Sequence, residues 1–276
     1  MNCRQALKQA RKILEDSGTD DSSLEGEVLL RHVLGMDRAA LFSSLDRELT
    51  PIQIENLMLL VERRRRGEPA AYITGHREFY GLDFKVDPRV LIPRPETELL
   101  VEKAISFYRQ FNFLSVADIG TGCGCIAIAL TVYLPEVNVY AVDISPEALE
   151  VAAENCAAHG VKHRITLLTG DLLEPLTAPV NMIIANLPYV KKADLAPGFE
   201  PELALNGGEE GLDKIQALCG QARGKLKPGG ILLLEIGQGQ ANTVKTILHK
   251  IYPDAIVEVT KDLAGIERVL SMRLTS

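Results

Sequence analysis

The chain has 276 residues, 46% of them hydrophobic and 24% charged, the make-up of an ordinary folded protein, which excludes wholesale disorder. Its 30 basic and 37 acidic side chains leave a formal net charge of −7, which disfavours a protein built to grip a phosphate backbone. No apolar run approaches the roughly 18 residues of a spanning helix, which excludes a helical membrane protein.

Ala6, Ala10, Ile13 and Leu14 recur at helical spacing before Gly18, and Leu24, Val28, Leu29 and Leu30 do so before Gly35. Thr50-Pro51-Ile52-Gln53 combines a cap residue, a proline at the first helical position and a Gln three residues on, so a helix is predicted from Pro51 to the arginines ahead of Gly67. Arg63 to Arg66 fit a helix C-terminus, where positive side chains are favoured, better than a nucleic-acid patch. Residues 1–75 thus read as a small all-helical domain. Phe79, Leu82, Phe84 and Val86 around Gly81 predict a β-hairpin linker over 76–91. The charge before and after residue 92 is −1 and −6, so neither part is a basic module.

Residues 92–276 open with Ile92-Pro93-Arg94-Pro95 and a long helix through Phe111, after which strands and helices alternate. Strands are predicted at Ser115–Ile119, Val137–Val142, Ile165–Leu168, Asn181–Ala185 and Gly230–Ile236. Helices are predicted at Ile126–Tyr133, Pro146–His159, Leu212–Lys225 and Gln240–Ile251. Such alternation implies an α/β domain with a mostly parallel sheet covered on both faces. Ala255–Thr260 and Glu267–Leu274 are joined by a short link and should pair antiparallel at one end of that sheet. Five cysteines, at 3, 123, 125, 156 and 219, have no paired C-x-x-C spacing. They suit a reducing cytoplasm, and no disulfide or metal site is assigned. The N-terminus has no short apolar signal core, so a cytoplasmic protein is expected.

Asp118-Ile119-Gly120-Thr121-Gly122-Cys123-Gly124-Cys125 falls where a strand should end and a helix begin. A dinucleotide fingerprint needs G-x-G-x-x-G, but the third place here is Cys125 and the spacing is D-x-G-x-G-x-G. An acid beside the loop repels a pyrophosphate and favours a cationic ligand, such as the ammonium and sulfonium groups of S-adenosylmethionine. Asp118, Gly120, Thr121, Gly122, Cys123 and Gly124 are therefore expected to hold that cofactor. Asp143, with Ile144 after it, ends the next strand, where a carboxylate can accept bonds from both ribose hydroxyls. Asp171 and Leu172 follow the third strand, suited to an adenine amino group and one ring face.

Asn186-Leu187-Pro188-Tyr189 follows the apolar run Met182 to Ala185, again at a strand's carboxyl end. Pro188 biases Leu187 toward extended geometry, which turns the loop carbonyls outward. An Asn side chain, an outward carbonyl and a Tyr ring form a receptor for a flat amide or amine. On these residues alone, a protein amide and a flipped adenine both remain open as substrates, and so does a non-catalytic module that binds the cofactor and docks a partner.

Three further segments resemble a known family: Arg66-Gly67-Glu68-Pro69 with Tyr72-Ile73-Thr74-Gly75, Glu78-Phe79-Tyr80-Gly81-Leu82, and Val90-Leu91-Ile92-Pro93-Arg94-Pro95-Glu96-Thr97-Glu98. With Phe199-Glu200-Pro201, Ala204-Leu205, Gly207-Gly208 and Gly211-Leu212-Asp213, they are similar to the protein-(glutamine-N5) methyltransferases of peptide-chain release factors, the PrmC/HemK family. The resemblance covers nearly the whole chain. It implies a seven-stranded Rossmann-like S-adenosylmethionine-dependent methyltransferase domain behind a helical substrate-docking domain and a β-hairpin linker. The reaction it implies methylates the glutamine of the Gly-Gly-Gln motif in class 1 release factors, leaving S-adenosylhomocysteine and supporting translation termination, with no stable nucleic-acid or membrane partner. By the same resemblance, the Asn186 side-chain oxygen and the Leu187 carbonyl accept the two substrate N–H bonds, Pro188 shapes the loop, the Tyr189 ring packs on the amide and Arg94 borders the substrate. The family's motif is N-P-P-Y, and this chain has leucine at position 187.

Overall fold

The computed structural model describes residues 1–275; Ser276, the last residue of the expected catalytic domain, lies outside the described residues. The chain divides into two compact units, Met1–His76 and Arg77–Ser276.

The first unit holds α1 (Cys3–Asp16), α2 (Ser22–Leu34), α3 (Arg38–Ser43), α4 (Pro51–Arg65) and α5 (Ala70–Thr74). Capping boxes start α1 at Asn2 and Gln5 and α4 at Thr50 and Gln53, while Gly35 closes α2 in the left-handed conformation. Ala6, Ala10 and Leu14 meet Leu29, Leu30, Leu57 and Val61 in one apolar core. The arginine quartet is engaged locally: Arg63 pairs with Glu68, Arg64 with Glu25, and Arg65 and Arg66 with Glu62. Helices α3 and α5 are too short for periodicity to reveal them.

β1 (His76–Phe79) and β2 (Leu82–Lys85) form the expected hairpin, turning on Tyr80 and Gly81, both with positive φ. Within the second unit this hairpin is bound to the body of the fold. Lys85 N donates to Asn155 Oδ1 at 2.8 Å, and the fully buried Asn155 Nδ2 donates to Lys85 O at 3.0 Å and to Cys123 O at 2.9 Å.

Then come α6 (Glu98–Phe111), β3 (Ser115–Ile119), α7 (Cys125–Tyr133), β4 (Asn138–Asp143), α8 (Pro146–Ala158), β5 (Ile165–Thr169), β6 (Val180–Ala185), α9 (Asp213–Gln221), β7 (Leu226–Glu235), α10 (Ala241–Ile251), β8 (Ile256–Lys261) and β9 (Glu267–Arg273). The seven strands of this α/β unit lie in the order β5-β4-β3-β6-β7-β9-β8. The first five are parallel, and β9 and β8 add antiparallel at one end, as the sequence predicts. This is the Rossmann-like architecture implied by the resemblance. β7 starts earlier than predicted, at Leu226, because a register irregularity opposite Val180 and Met182 admits Gly229 and Gly230 into the strand.

Strand alternation divides the side chains. Ala117 and Ile119 of β3, Ile183 and Ala185 of β6, and Leu232 and Leu234 of β7 join the core beneath α9 and α10. Val116 and Asp118 of β3 and Leu233 and Glu235 of β7 point to the opposite face. The helical pattern of α7 is apolar nearly all round, and residues 125–131 are buried, as a helix under others requires.

Candidate active site

Ligands of open α/β sheets bind beyond the strands' carboxyl ends, where the strand order reverses. Here that point is β3, flanked by β4 and β6. The register places Ile119 beside Val142 and Ala185, Asp143 beside Thr169, and Ala185 beside Leu234, so the segments after these strands share one edge. A cleft opens there. Gly120, Gly122, Asp143, Ile144, Asp171, Leu172, Asn186, Leu187 and Pro188 line it, all of them predicted site residues.

The other residues predicted for the loop stand behind it. Asp118 is fully buried because its place in β3 turns it toward α7. Its Oδ2 accepts from Thr121 Oγ1 at 2.6 Å and Ala127 N at 3.2 Å, and its Oδ1 has no partner among the described residues. Burial, only partly offset by these two donors, pushes its carboxyl up to about 7. Thr121 and Cys123 are buried, Thr121 on Asp118 and Cys123 through its carbonyl on Asn155. Gly124 caps α7 with φ of 83°. These three brace the loop and do not line the cleft.

Gly120 has φ of +72°, and a Cβ there would lie 3.2 Å from Leu187 Cδ2 and 3.6 Å from Asn186 O. Glycine thus lets the loop after β3 touch the loop after β6. Asp143 accepts Gly122 N at 2.8 Å on Oδ2 and Ser145 N at 3.0 Å on Oδ1, which leaves each oxygen a lone pair for a ligand hydroxyl. Burial pushes its carboxyl upward, against the backbone N–H groups of Ser145, Gly122 and Ile144. Asp171 faces Lys214 Nζ at 3.4 Å. Leu172, buried at φ of 50°, presents an apolar wall.

Asn186 Nδ2 donates to Thr97 Oγ1 at 2.9 Å, and Asn186 Oδ1 accepts no hydrogen bond among the described residues. Thr97 Oγ1 donates to Glu235 Oε2 at 2.7 Å, and the Tyr189 hydroxyl donates to Glu235 Oε1 at 3.2 Å. Burial raises the pKa of Glu235 while Thr97, Tyr189 and Arg268 pull it back. Burial and the neighbouring Glu235 push the Tyr189 phenol up to about 12. Tyr189 and Arg94 do not line the cleft. The Tyr189 ring lies against Gly237, where a Cβ would be 3.1 Å from its Cδ2, and Arg94 is paired with Glu200, whose other oxygen accepts Ile92 N at 3.1 Å.

Sequence reasoning passed over several participants. Thr97 belongs to a quoted motif, but only the fold brings it to Asn186. Glu235 ended an apolar strand and carried no signal. Gln240 donates from Nε2 to Tyr189 O at 3.2 Å and Gly211 O at 3.0 Å. Gly207 lies so close that a Cβ would sit 2.7 Å from Pro188 O, which explains a glycine there. Arg89, Leu203 and Lys214 also line the cleft.

The sheet order and the glycine loop at its switch point define the Rossmann-like methyltransferase class. Residues 5–75 match the family model described as the PrmC N-terminal domain, and residues 96–254 match the methyltransferase small domain. A release factor glutamine methyltransferase from Moorella thermoacetica is 43% identical over 97% of both chains, and one from Koribacter versatilis is 42% identical over 98% of both. A ribosomal protein L11 methylase structure from Lactobacillus delbrueckii subsp. bulgaricus aligns with TM-score 0.52 and 25% identity, covering 69% of this chain and 84% of that one. The chain belongs to the release factor glutamine methyltransferase family and is a methyltransferase.

Proposed function

We propose that this protein transfers a methyl group from S-adenosylmethionine to the side-chain amide nitrogen of the Gly-Gly-Gln glutamine in class 1 release factors, in the cytoplasm. The observation that carries this reading is the direct apposition of the glycine loop to Asn186 and Leu187, with Asn186 Oδ1 left open beside the cleft.

The cleft's residues fit the cofactor. The orphaned Asp118 Oδ1 is an acceptor without a donor, close under the loop, as a cationic ligand or its hydrating water calls for. Asp143 keeps two lone pairs for a ribose diol, and Leu172 with Asp171 offers an apolar wall beside an acceptor. When bound, S-adenosylmethionine supplies an electrophilic methyl group on a sulfonium centre.

The protein's task is orientation. An amide nitrogen is a weak nucleophile because its lone pair is delocalised. Asn186 Oδ1 and the Leu187 carbonyl would each accept one N–H of the substrate amide and hold its nitrogen in line for attack. As positive charge grows on that nitrogen, these two acceptors stabilise it without reorganising. The backbone carbonyl is retained with leucine at position 187, so the departure from N-P-P-Y leaves this acceptor in place. The helical unit, matched by the PrmC N-terminal model, is the proposed docking surface for the release factor. Pro188 and Tyr189 act by holding the loop, through Gly207, Gln240 and Glu235.

The test is incubation with labelled S-adenosylmethionine and either purified release factor or ribosomal RNA, followed by mapping of the label. Label on the Gly-Gly-Gln glutamine is expected. Label on adenine alone would replace this reading.

A further inference from the structure

Thr97 sits at the N-cap of α6, yet its side chain makes no capping hydrogen bond. The residue is 2% exposed, and its hydroxyl spends its bonding on Glu235 and Asn186, which lie 138 and 89 residues away in the chain. Glu235, 1% exposed, receives a hydroxyl donor on each oxygen, from Thr97 and from Tyr189. Both of its oxygens are the acceptors in these bonds, so neither offers Thr97 a proton. The single Thr97 proton is thereby committed to Glu235, and its oxygen can only accept from the other side. The Asn186 atom facing it must then be the NH2 group. A flipped Asn186 would set two oxygens 2.9 Å apart with no proton between them.

We infer that Thr97 and Glu235 are positioning residues that fix which end of the Asn186 carboxamide faces the substrate, and so make the site select a glutamine amide over a glutamate carboxylate. The inference rests on the proposed reading of Asn186 as the substrate's acceptor. With Oδ1 outward, Asn186 and the Leu187 carbonyl offer acceptors only: two N–H groups match them, and a carboxylate is repelled. Tyr189 acts through the same carboxylate, which explains a tyrosine there although its ring does not line the cleft.

The test compares wild type, Thr97→Val, Thr97→Ser and Asn186→Ala in the full chain. It reads kcat and KM for a release factor, S-adenosylmethionine affinity, and inhibition by a release factor whose Gly-Gly-Gln glutamine is replaced by glutamate. Thr97→Val keeps the shape and deletes the hydroxyl, so kcat should fall about tenfold or more while KM and cofactor affinity stay within about threefold. Discrimination against the glutamate form should narrow on the order of tenfold. Thr97→Ser should restore both. A Thr97→Val protein with wild-type kcat and wild-type discrimination would overturn the inference, even with a lowered melting temperature, since that is what a merely structural threonine predicts. Asn186→Ala separates the two layers: inactive beside an unaffected Thr97→Val, it sinks only this inference; fully active, it sinks the proposed function. Should Thr97→Val not fold, the side-chain amide NMR signal of wild-type Asn186, assigned by its loss in Asn186→Ala, decides. Protection of its protons from solvent exchange supports the network, and exchange at the rate of a free amide overturns it.

Discussion

Replacing Asp143 tests the cofactor assignment most directly, because the structure says what each of its oxygens already does. Oδ2 holds Gly122 N at 2.8 Å and Oδ1 holds Ser145 N at 3.0 Å, while both retain a lone pair toward the cleft. Asp143→Ala deletes the two acceptors offered to the ribose and frees the glycine loop from its anchor. A hydrogen bond to a charged group contributes about 1.5–3 kcal/mol, so binding should weaken roughly ten- to a hundredfold. Asp143→Asn should be nearly as damaging, since its NH2 must meet one of the two backbone N–H groups donor to donor. Calorimetry, run on the alkaline side because burial raises this carboxyl, should include S-adenosylmethionine, S-adenosylhomocysteine and adenosine. Adenosine keeps the ribose and lacks the amino-acid chain, so all three ligands should weaken by a similar factor. A folded Asp143→Ala protein with unchanged affinity, or one that spares adenosine, would refute the ribose role.

Asp118 should behave oppositely across those ligands: Asp118→Asn weakens S-adenosylmethionine and spares adenosine, and equal losses would remove Asp118 from the charge-recognition role. Its folded pKa of about 7 lies above its ordinary value, so the stability of the protonated form is lost as pH rises between about 4 and about 7. Asp118→Asn should therefore gain stability relative to wild type over that window and run parallel above it. Denaturant titrations with a constant difference across the window would contradict that sign. For the chemical step, Asn186→Ala should cost on the order of 10²–10³ in kcat with intact folding, while Leu187→Pro should leave glutamine as the substrate; single-turnover methylation checks both. A chain cut to residues 77–276 should retain cofactor binding and lose turnover on intact release factor. One cut to 92–276 should also melt earlier, because Asn155 loses both of its bonds to Lys85; equal melting temperatures would show the hairpin to be dispensable.

Much of this architecture is legible in one dimension because its signals are local. Helix caps at Thr50 and Gln53, glycine spacing after Asp118, alternating strands and helices, and an asparagine followed by Leu-Pro-Tyr after an apolar strand all lie within a few residues of their cause. A resemblance spread over both units supplied the substrate class that those four residues leave open. The sequence by itself thus determined the kind of sheet, the edge at which the cleft opens, and Asp143, Asp171 and Asn186 as residues of that edge.

Tertiary structure decided what each residue does there. Strand alternation set Asp118 beneath the glycine loop and against α7, buried from solvent, which no spacing in the loop reveals. Tyr189 left the cleft for Glu235 because a buried carboxylate at the end of β7 requires donors on both oxygens. Thr97, Glu235 and Asn186 lie far apart in sequence, and only the packing of the α6 N-terminus against the ends of β6 and β7 brings them together. A hydroxyl's one proton then sets the direction of every bond in that group. That constraint depends on which atoms face each other in space, and a linear order of residues does not contain it.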